Sequence, residues 1–280
     1  MAAGDVITIR EDASGKKGNY FDGTDDYVLH DAHAVARVAA NDTVGTYTAW
    51  VYVNDTDSNH TILSAGDNNS ATEYMSVSTG SDARLYFKLY HGGAMQFQVR
   101  STDALSIARK WTHVAVVQNG TQPAIYINGE AVDTTNDTAT DLTFWYDELT
   151  GCDKFAIGVL ESNATHTADW KGAIGQVKYW NLALNAVEIK TEADGGTHAQ
   201  GTARNALLNA PAFNVTMEDD GTTDSGSGAD NGTLTGNAHY GGEISTWSIA
   251  VERNSTGHAA EFINTFRDVD KFVSVIKRGD

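Results

Sequence analysis

The stretch from Lys110 to Asp133, KWTHVAVVQNGTQPAIYINGEAVD, constrains the fold of this chain most strongly. Its first part, 111–117, carries apolar or aromatic residues at both alternating sets of positions, which predicts a strand covered on both faces. A polar turn at 118–122 separates this strand from a second one at 124–127, and the Asn128-Gly129 dipeptide that follows is typical of a type I′ turn. The stretch therefore predicts an antiparallel hairpin closed by a second tight turn.

Two other segments carry the same period of two. In 45–53, GTYTAWVYV, both alternating sets are occupied, which predicts a central strand. In 94–100, AMQFQVR, we expect Met95, Phe97 and Val99 to face inward and the intervening residues to face solvent. The chain has 27 glycines and two prolines, a composition typical of many short strands joined by glycine turns. These patterns predict an all-β fold.

The order of the motifs resembles a known family. YFDGTDDYV at 20–28 comes first, TAWVYV at 48–53 second, the hairpin third and IGQVKYWN at 174–181 last. In this order they resemble the laminin G-like and pentraxin-like jelly rolls of the concanavalin A-like lectin/glucanase group, over about residues 18–240. The resemblance implies an antiparallel β-sandwich, whose last strand lies beside its first. It specifies function poorly, because function in such a sandwich resides in its loops.

The resemblance also divides the chain into parts. These are an N-terminal arm or strand at 1–17, a jelly-roll domain at 18–240 and a C-terminal appendage at 241–280. The appendage predicts a small β-α-β unit, because it contains strand-like, helix-like and again strand-like patterns at 247–251, 259–266 and 272–276. About 40 residues are at the lower limit for independent folding, so we expect the appendage to pack on the sandwich or on a neighbouring chain.

Short helices are predicted within the jelly roll. Asn185 followed by Glu188 has the spacing of a capping box, which predicts a helix near 186–194 that ends at Gly195-Gly196. The alanine-rich segment 31–42 predicts another, and Leu207-Leu208 a short helical turn.

Charge and cysteine content exclude several classes of protein. With 19 basic and 37 acidic residues the net charge is −18, which would repel a phosphate backbone and argues against a nucleic-acid partner. The chain shows neither a basic, apolar leader nor a run of about 18 apolar residues, so we expect no signal peptide and no membrane span. Cys152, the only cysteine, cannot form an intrachain disulfide and is interpreted as a small buried residue.

Sequence patterns for catalysis are weak. Retaining glucanases of this fold place two carboxylates on alternate residues of one strand, and no such run occurs here. The chain also lacks a Gly-x-Ser-x-Gly elbow and a phosphate-binding loop. His30-x-x-His33 is a weak metal pattern and is interpreted as structural, and Trp111 and His113 are interpreted as core residues of the central strand. We therefore predict that the protein is not an enzyme.

The resemblance implies a candidate calcium site. In pentraxin-like relatives an Asp-Asn pair after one strand meets acidic residues of a loop from another. Asp67-Asn68 matches the first position, and Glu161 and Asn163 are the side chains with oxygen atoms in the second loop. Calcium needs six to eight oxygen ligands, so these residues provide fewer side-chain oxygens than calcium-binding relatives do. Solvated turns are the alternative interpretation, and Asp25-Asp26 is a second candidate.

A glycan-binding face requires aromatic platforms beside hydrogen-bonding side chains. Three groups of residues meet that description: Tyr86 and Tyr90 on one strand, Gln96 and Gln98 on the next, and Trp145 with Tyr146 in the polar stretch 133–152. Packing is the alternative explanation for aromatic residues at strand spacing.

Three functional classes remain. The first is a structural or adhesive surface protein of a virus particle, such as a phage head decoration or tail appendage, assembled in the host cytoplasm. It would dock on capsid or tail proteins through residues 1–17 and 241–280 and could bind a cell-surface glycan. The second is a soluble or extracellular calcium-dependent carbohydrate-binding module. A glucanase-like enzyme is the third and least favoured, and the sequence leaves a homo-oligomer open.

Overall fold

The period-two segments form two eight-stranded antiparallel sheets in the computed structural model. The structure describes residues 8–10, 18–54, 56–199, 201–217, 221–236, 239–240, 248–250, 261–262 and 275–276. Apolar side chains from both sheets meet in one core cluster between them. The predicted β-sandwich of the concanavalin-like jelly-roll type is therefore confirmed.

The helices and strands are numbered in chain order. The strands are β1 (Thr8–Arg10), β2 (Asn19–Asp22), β3 (Tyr27–Leu29), β4 (Gly45–Val53), β5 (His60–Gly66), β6 (Tyr74–Thr79), β7 (Leu85–His91), β8 (Ala94–Ser101), β9 (Thr112–Gln118), β10 (Ala124–Ile127), β11 (Glu130–Ala131), β12 (Thr134–Ala139), β13 (Lys154–Ile157), β14 (Leu160–Ser162), β15 (Thr165–Thr167), β16 (Lys171–Trp180), β17 (Phe213–Val215), β18 (Thr233–Thr235), β19 (His239–Tyr240), β20 (Ser248–Ala250), β21 (Glu261–Phe262) and β22 (Val275–Ile276). The helices are α1 (Asp31–Ala40), α2 (Ala186–Ala193) and α3 (Ala203–Leu208).

We name the two sheets by number. Sheet I has the order β11-β10-β9-β4-β16-β2-β19, with β17 also paired to β16. Sheet II has the order β12-β8-β7-β6-β5-β13-β3-β18. The closing strands β18 and β19 pair with the early strands β3 and β2, as the resemblance implies. No described helix has the length and apolar character needed to cross a membrane.

The central hairpin has the predicted form. Strand β9 lies between β4 and β10 in sheet I, and Ile127 pairs with Val114 at the end of the hairpin. Asn128 and Gly129 have φ values of 52° and 85°, as a type I′ turn requires. Trp111 and His113 are buried as predicted, yet they lie on the face of sheet I opposite the central core. Both faces of this sheet are therefore covered.

Helices α2 and α3 cover part of that outer face. Their residues Ile189 and Leu208 pack with Trp180 of β16 in a second apolar cluster, and the Trp180 indole donates to the Leu208 carbonyl at 3.0 Å. The capping box of α2 is present, with Asn185 accepting from the Glu188 backbone and Glu188 accepting from the Asn185 backbone. The helices predicted near 186–194 and 31–42 are confirmed with slightly shorter bounds.

Two details of sheet II differ from prediction. A β-bulge shifts the register between β7 and β8, so that Met95 pairs with Tyr90 and shares its outer face; the inward position predicted for Met95 is wrong. The stretch 133–152 is not a simple polar excursion, because β12 pairs with β8 and forms one edge of the sheet.

The terminal segments are described only in part. Strand β1 pairs with β20, which brings the N-terminal arm to the appendage, and β21 pairs with β22. Glu261–Phe262 form a strand where the sequence pattern predicts a helix. The other predictions for 1–17 and 241–280, including the rest of the helix predicted there, concern residues outside the described ones.

One buried carboxylate organises the long loop that precedes β18. Asp224 is 5% exposed, and its two oxygens accept from the backbone N–H groups of Asn214, Gly226 and Asp230 at 2.7–2.8 Å. A polar, glycine-rich segment thereby gains a defined path between β17 and β18. The carboxylate supplies the acceptors that this loop backbone lacks within itself.

We expect Asp224→Asn to lower the free energy of unfolding by about 1–3 kcal/mol, because an amide offers one acceptor oxygen where the carboxylate offers two. The measurement is urea unfolding followed by tryptophan fluorescence, with Asp103→Asn on an exposed loop as the matched control. Equal unfolding midpoints for both variants would show that Asp224 does not organise the loop.

Candidate functional site

The outer face of sheet II carries the polar and aromatic residues of strand β7. Leu85, Phe87 and Leu89 are buried in the core, so Tyr86, Lys88 and Tyr90 lie on the opposite side of the strand. Their neighbours across the sheet are set by the register: Tyr74 and Met95 flank Tyr90, Ser76 and Gln98 flank Lys88, and Ser78 and Arg100 flank Tyr86. We call these nine residues the β7 face.

One end of the β7 face is apolar and aromatic. The rings of Tyr74 and Tyr90 stack with centroids 5.0 Å apart and an interplanar angle of 24°. Burial, followed by the neighbouring Tyr90, raises the pKa of Tyr74 to about 12, so the Tyr74 phenol stays neutral at physiological pH. Both tyrosines are partly exposed. The stack therefore offers a neutral, aromatic surface to solvent.

The other end is polar. The Tyr86 hydroxyl donates to Asp82 Oδ2 at 2.8 Å, and Arg84 Nη1 lies 2.7 Å from the same oxygen. Arg100, opposite Tyr86, forms an ion pair with Asp137 at 2.9 Å. These contacts fix the ring of Tyr86 and the guanidinium of Arg100 without burying either group.

Lys88 lies between the two ends and differs from its neighbours. It is partly buried, and it forms no hydrogen bond or ion pair with a described residue. Burial is the one cause that lowers the pKa of its ammonium group, and no carboxylate acts on it. Ser76, its cross-strand neighbour, is fully buried with its hydroxyl also lacking a hydrogen-bond partner. A buried, unsatisfied hydroxyl thus lies next to an ammonium group that has no partner among the described residues.

The predicted ligand-binding residues fall into two sets. Tyr86, Tyr90 and Gln98 do share the β7 face, and Gln98 donates to Asp137 at 3.0 Å. Gln96 lies at the bulge, and its side-chain amide donates to the His91 carbonyl at 3.1 Å. It stabilises the β7–β8 turn instead of extending the face.

Trp145 and Tyr146 are wrongly predicted as ligand contacts. Both side chains are fully buried in the core between the sheets. The Tyr146 hydroxyl lies 2.5 Å from that of Tyr47, and the Trp145 indole donates to the Tyr179 hydroxyl at 3.3 Å. The Gln118 amide holds the backbone of this segment at the carbonyls of residues 142 and 144, which turns the aromatic side chains inward.

Sequence reasoning missed Tyr74, Lys88 and Arg100. Tyr74 could have been found, because it alternates with the apolar residues of its strand as Tyr86 does. Lys88 gave no signal, since a lysine between two tyrosines is equally consistent with a solvated face. Its lack of a partner emerges only when the three-dimensional positions of the acidic residues are known.

The two loops of the predicted calcium site do meet, since the backbone N–H of Asn163 donates to the backbone carbonyl of Asp67 at 2.9 Å. The carboxylates of Asp67 and Glu161 each contact another part of the protein. Asp67 Oδ1 accepts from the Asn69 backbone at 2.7 Å, while the Glu161 carboxylate is buried and paired with His166. Neither carboxylate of this site is therefore free of protein contacts, and calcium binding by Asp67, Asn68, Glu161 and Asn163 stays a prediction.

A tighter carboxylate group occurs at the second candidate position. Asp22, Asp25 and Asp26 place ligand oxygens within 4.8 Å of one another in the β2–β3 turn, the one such group among the described residues. Asp26 is buried, and its Oδ2 accepts from the Asp22 backbone at 2.9 Å. Carboxylates at this spacing fit a hard cation better than the Asp67 loop does.

His30 and His33 have structural roles. The two ring nitrogens of His30 each lie 2.8 Å from a backbone carbonyl, those of Asp230 and Gly221. His33 Nε2 lies 2.8 Å from the Tyr47 hydroxyl, and burial lowers the pKa of His33 to about 4. The pair joins α1 to the loop before β18 and does not converge on a metal position.

Comparison with known proteins gives a family and a set of folds. The model of the concanavalin A-like lectin/glucanases superfamily matches residues 22–190. No curated protein sequence matches the chain significantly. The CBM40 module of the Ruminococcus gnavus IT-sialidase, also solved bound to α2,3-sialyllactose, is similar with a TM-score of 0.53 and 16% identity, over 64% of this chain and 96% of that one.

Two complete sialidases match over a smaller share of their length. The NanB sialidase of Streptococcus pneumoniae has a TM-score of 0.52 and 12% identity, over 62% of this chain and 27% of that one. The leech intramolecular trans-sialidase has a TM-score of 0.51 and 17% identity, over 70% and 29%. At these identities the likeness shows the fold of the sandwich.

If calcium binds this protein, we expect the Asp22–Asp26 turn to hold it. Calcium at 5 mM should then raise the melting temperature of the wild type and of Asp67→Asn, while Asp25→Asn should lose the increase, because a carboxylate ligand is removed. Scanning calorimetry with calcium or EDTA checks this. Loss of the shift in Asp67→Asn alone would place the ion at the Asp67 loop, and an unchanged wild type would exclude both.

Proposed function

The chain belongs to the concanavalin A-like lectin/glucanase superfamily, and on that premise we propose that it is a non-enzymatic protein that binds glycans through its β7 face. The observation that carries the proposal is the position of the tyrosines on this face. Tyr74 and Tyr90 lie on one side of the polar residue Lys88, and Tyr86 lies on the other. Similarity to a sialidase carbohydrate-binding module is consistent with this role.

The chemistry of the β7 face suits a sugar chain. Sugar rings present C–H groups that pack on aromatic rings and hydroxyl groups that hydrogen-bond to amide and guanidinium groups. Tyr86 and Tyr90 are four residues apart on one strand, about 13 Å, which is long enough for a short oligosaccharide. The Gln98 amide and the Arg100 guanidinium lie on the neighbouring strand within this length.

The carboxylates that border the β7 face support binding over hydrolysis. Asp82, Asp137 and Glu73 are each bonded to a basic side chain, namely Arg84, Arg100 and His91. Glycoside hydrolysis requires one carboxyl that stays protonated and a second that is free to act. Paired carboxylates instead position the groups around a ligand.

A glucanase-like enzyme remains the weaker alternative, and one observation bears on it. Burial raises the pKa of Glu148 to about 7, and Asp147 lies next to it. A carboxyl titrating near neutrality is what a general acid needs. Glu148 Oε2 accepts from the Trp145 backbone at 3.1 Å, however, which assigns it to a turn. Release of reducing sugar from β-glucans would favour the enzyme.

We expect Tyr86→Ala and Tyr90→Ala each to weaken glycan binding about tenfold or more, since truncated aromatic anchors lose their contact area. A glycan array identifies the ligand, and isothermal titration calorimetry measures the variants. Tyr126→Ala, which removes a half-buried tyrosine from sheet I, is the matched control. Affinities unchanged in all three variants would place the binding site elsewhere.

For its biological setting we propose a structural or adhesive protein on the surface of a virus particle. The net charge of −18 is compatible with a surface exposed to solvent, and residues 1–17 and 241–280, which lie outside the family match, would dock on capsid or tail proteins. The alternative is a soluble or extracellular calcium-dependent carbohydrate-binding module.

The two settings predict different behaviour of truncated chains. In the virion setting, the full chain should co-sediment with purified particles and appear on them in electron micrographs, whereas a chain of residues 18–240 should remain in the supernatant while it still binds glycan. Full-length protein that binds glycan but never associates with particles would favour the carbohydrate-binding module.

A further inference from the structure

We infer that the glycan held by the β7 face is acidic and that its carboxylate binds the ammonium group of Lys88. The inference rests on the proposed glycan binding and adds a ligand class to it. It assigns a role to a residue that neither the sequence pattern nor the family match singles out.

Among the described residues, no carboxylate forms an ion pair with Lys88. The other partly buried cations among the described residues have partners: Arg37 with Asp42, Arg84 with Asp82, Arg100 with Asp137, Lys154 with Asp31, Lys178 with Glu192, and Lys190 with Asp194. Lys171 also has a partner. In a chain with 37 acidic and 19 basic residues, an unpaired lysine is unexpected, because carboxylates outnumber cations almost two to one.

Partial burial makes that isolation unfavourable. An ammonium group withdrawn from water loses hydration that only an opposite charge or hydrogen-bond acceptors can replace. Burial lowers the pKa of Lys88, in agreement with uncompensated desolvation. The neighbouring Ser76 hydroxyl is buried and likewise without a partner. An anionic ligand would supply the missing charge, and its oxygen atoms would accept from the ammonium group.

Position connects this cation to the aromatic residues. Lys88 lies midway between Tyr86 and Tyr90 on the same face of β7, about 7 Å from each along the strand. A sugar whose carboxylate reaches Lys88 can therefore place its ring, or the rings on either side of it, against the tyrosines. Asp82 and Asp137, the carboxylates at the Tyr86 end of this face, are already paired with arginines.

The number of unpaired cations on the β7 face indicates that the bound part of the ligand carries one negative charge. Arg100 of the β7 face and the adjacent Arg84 are neutralised by Asp137 and Asp82, so Lys88 is the one unpaired cation among the described residues of this face. Heavily sulfated chains would need several free cations and would meet the net charge of −18. One carboxylate, as in a uronic acid or a terminal nonulosonic acid, matches the site.

The test compares ligands that differ only in the carboxylate. The probes are α2,3-sialyllactose beside its carboxyl-reduced form, and trigalacturonate beside its carboxyl-reduced trisaccharide, each titrated by calorimetry into the full chain. We expect one acidic probe to bind about tenfold or more tightly than its neutral counterpart, because a charge-assisted hydrogen bond is gained. The two pairs distinguish a terminal nonulosonic acid from a uronic acid.

Variants assign the effect to the residue. Lys88→Gln should remove the preference for the acidic probe, Lys88→Arg should retain most of it, and Lys110→Gln, at an exposed lysine in the loop before β9, should leave it unchanged. Ser76→Ala should not lower the melting temperature, because its hydroxyl has no partner to lose. Circular dichroism and thermal melts confirm that each variant is folded.

The outcomes separate the two proposals. Equal affinity for acidic and neutral probes, with binding that still depends on Tyr86 and Tyr90, overturns the role of Lys88 and leaves glycan binding by the β7 face in place. A preference for acidic probes that survives Lys88→Gln also overturns it. No binding of any array glycan by the folded protein overturns the proposed function and this inference together.

Discussion

Burial of one face of the central strands between the two large sheets is the constraint on which the rest of the structure depends. In β7 the alternating residues Leu85, Phe87 and Leu89 fill the core, so the intervening residues must lie together on the outer face. A shift of one residue would bury Lys88 and expose Phe87, and the apolar core therefore fixes the register of the β7 face as firmly as it fixes the fold. The candidate site is a consequence of core packing, with no loop needed to assemble it.

The two sheets use their outer faces differently. On sheet I, Trp180 packs under α2 and α3, and Trp111 is buried beside Tyr52 in another cluster, so aromatic residues there serve packing. On sheet II, the Tyr74–Tyr90 stack and Tyr86 remain partly exposed. An identical sequence signal, aromatic residues at strand spacing, thus has opposite meanings, because what covers each face is decided by distant parts of the chain.

Local signals in the sequence were sufficient for most of the fold. The capping box of Asn185 and Glu188, the Asn128-Gly129 turn and the alternation in 45–53 each depend on neighbouring residues, and each is confirmed. Long-range effects account for the failures. The polar sequence around Trp145 and Tyr146 predicts a loop, yet the space between the sheets takes both rings. Met95 changes face because of a bulge that no local pattern announces.

The same distinction between local signals and long-range effects explains which residues of the candidate site could be predicted from the sequence. Tyr86 and Tyr90 could be paired from the sequence, because residues two and four positions apart share a strand face. Lys88 could not, since its significance lies in carboxylates that are occupied elsewhere, and ion pairs such as Arg100–Asp137 and Lys154–Asp31 join residues far apart in the sequence. Asp137 illustrates this dependence: it reaches Arg100 and Gln98 only because β12 returns to pair with β8.

The strong acidity of the chain does not conflict with an acidic ligand. At physiological ionic strength the screening length is about 8 Å, so most of the 37 carboxylates act weakly on a charge at the centre of the β7 face. The carboxylates nearest that face, Asp82 and Asp137, are neutralised by arginines at 2.7 and 2.9 Å. Salt screens the partly buried ammonium group of Lys88 less than it screens exposed carboxylates. Contact with Lys88 therefore governs the sign of the local interaction, whereas the net charge slows the approach of anionic ligands without determining their affinity.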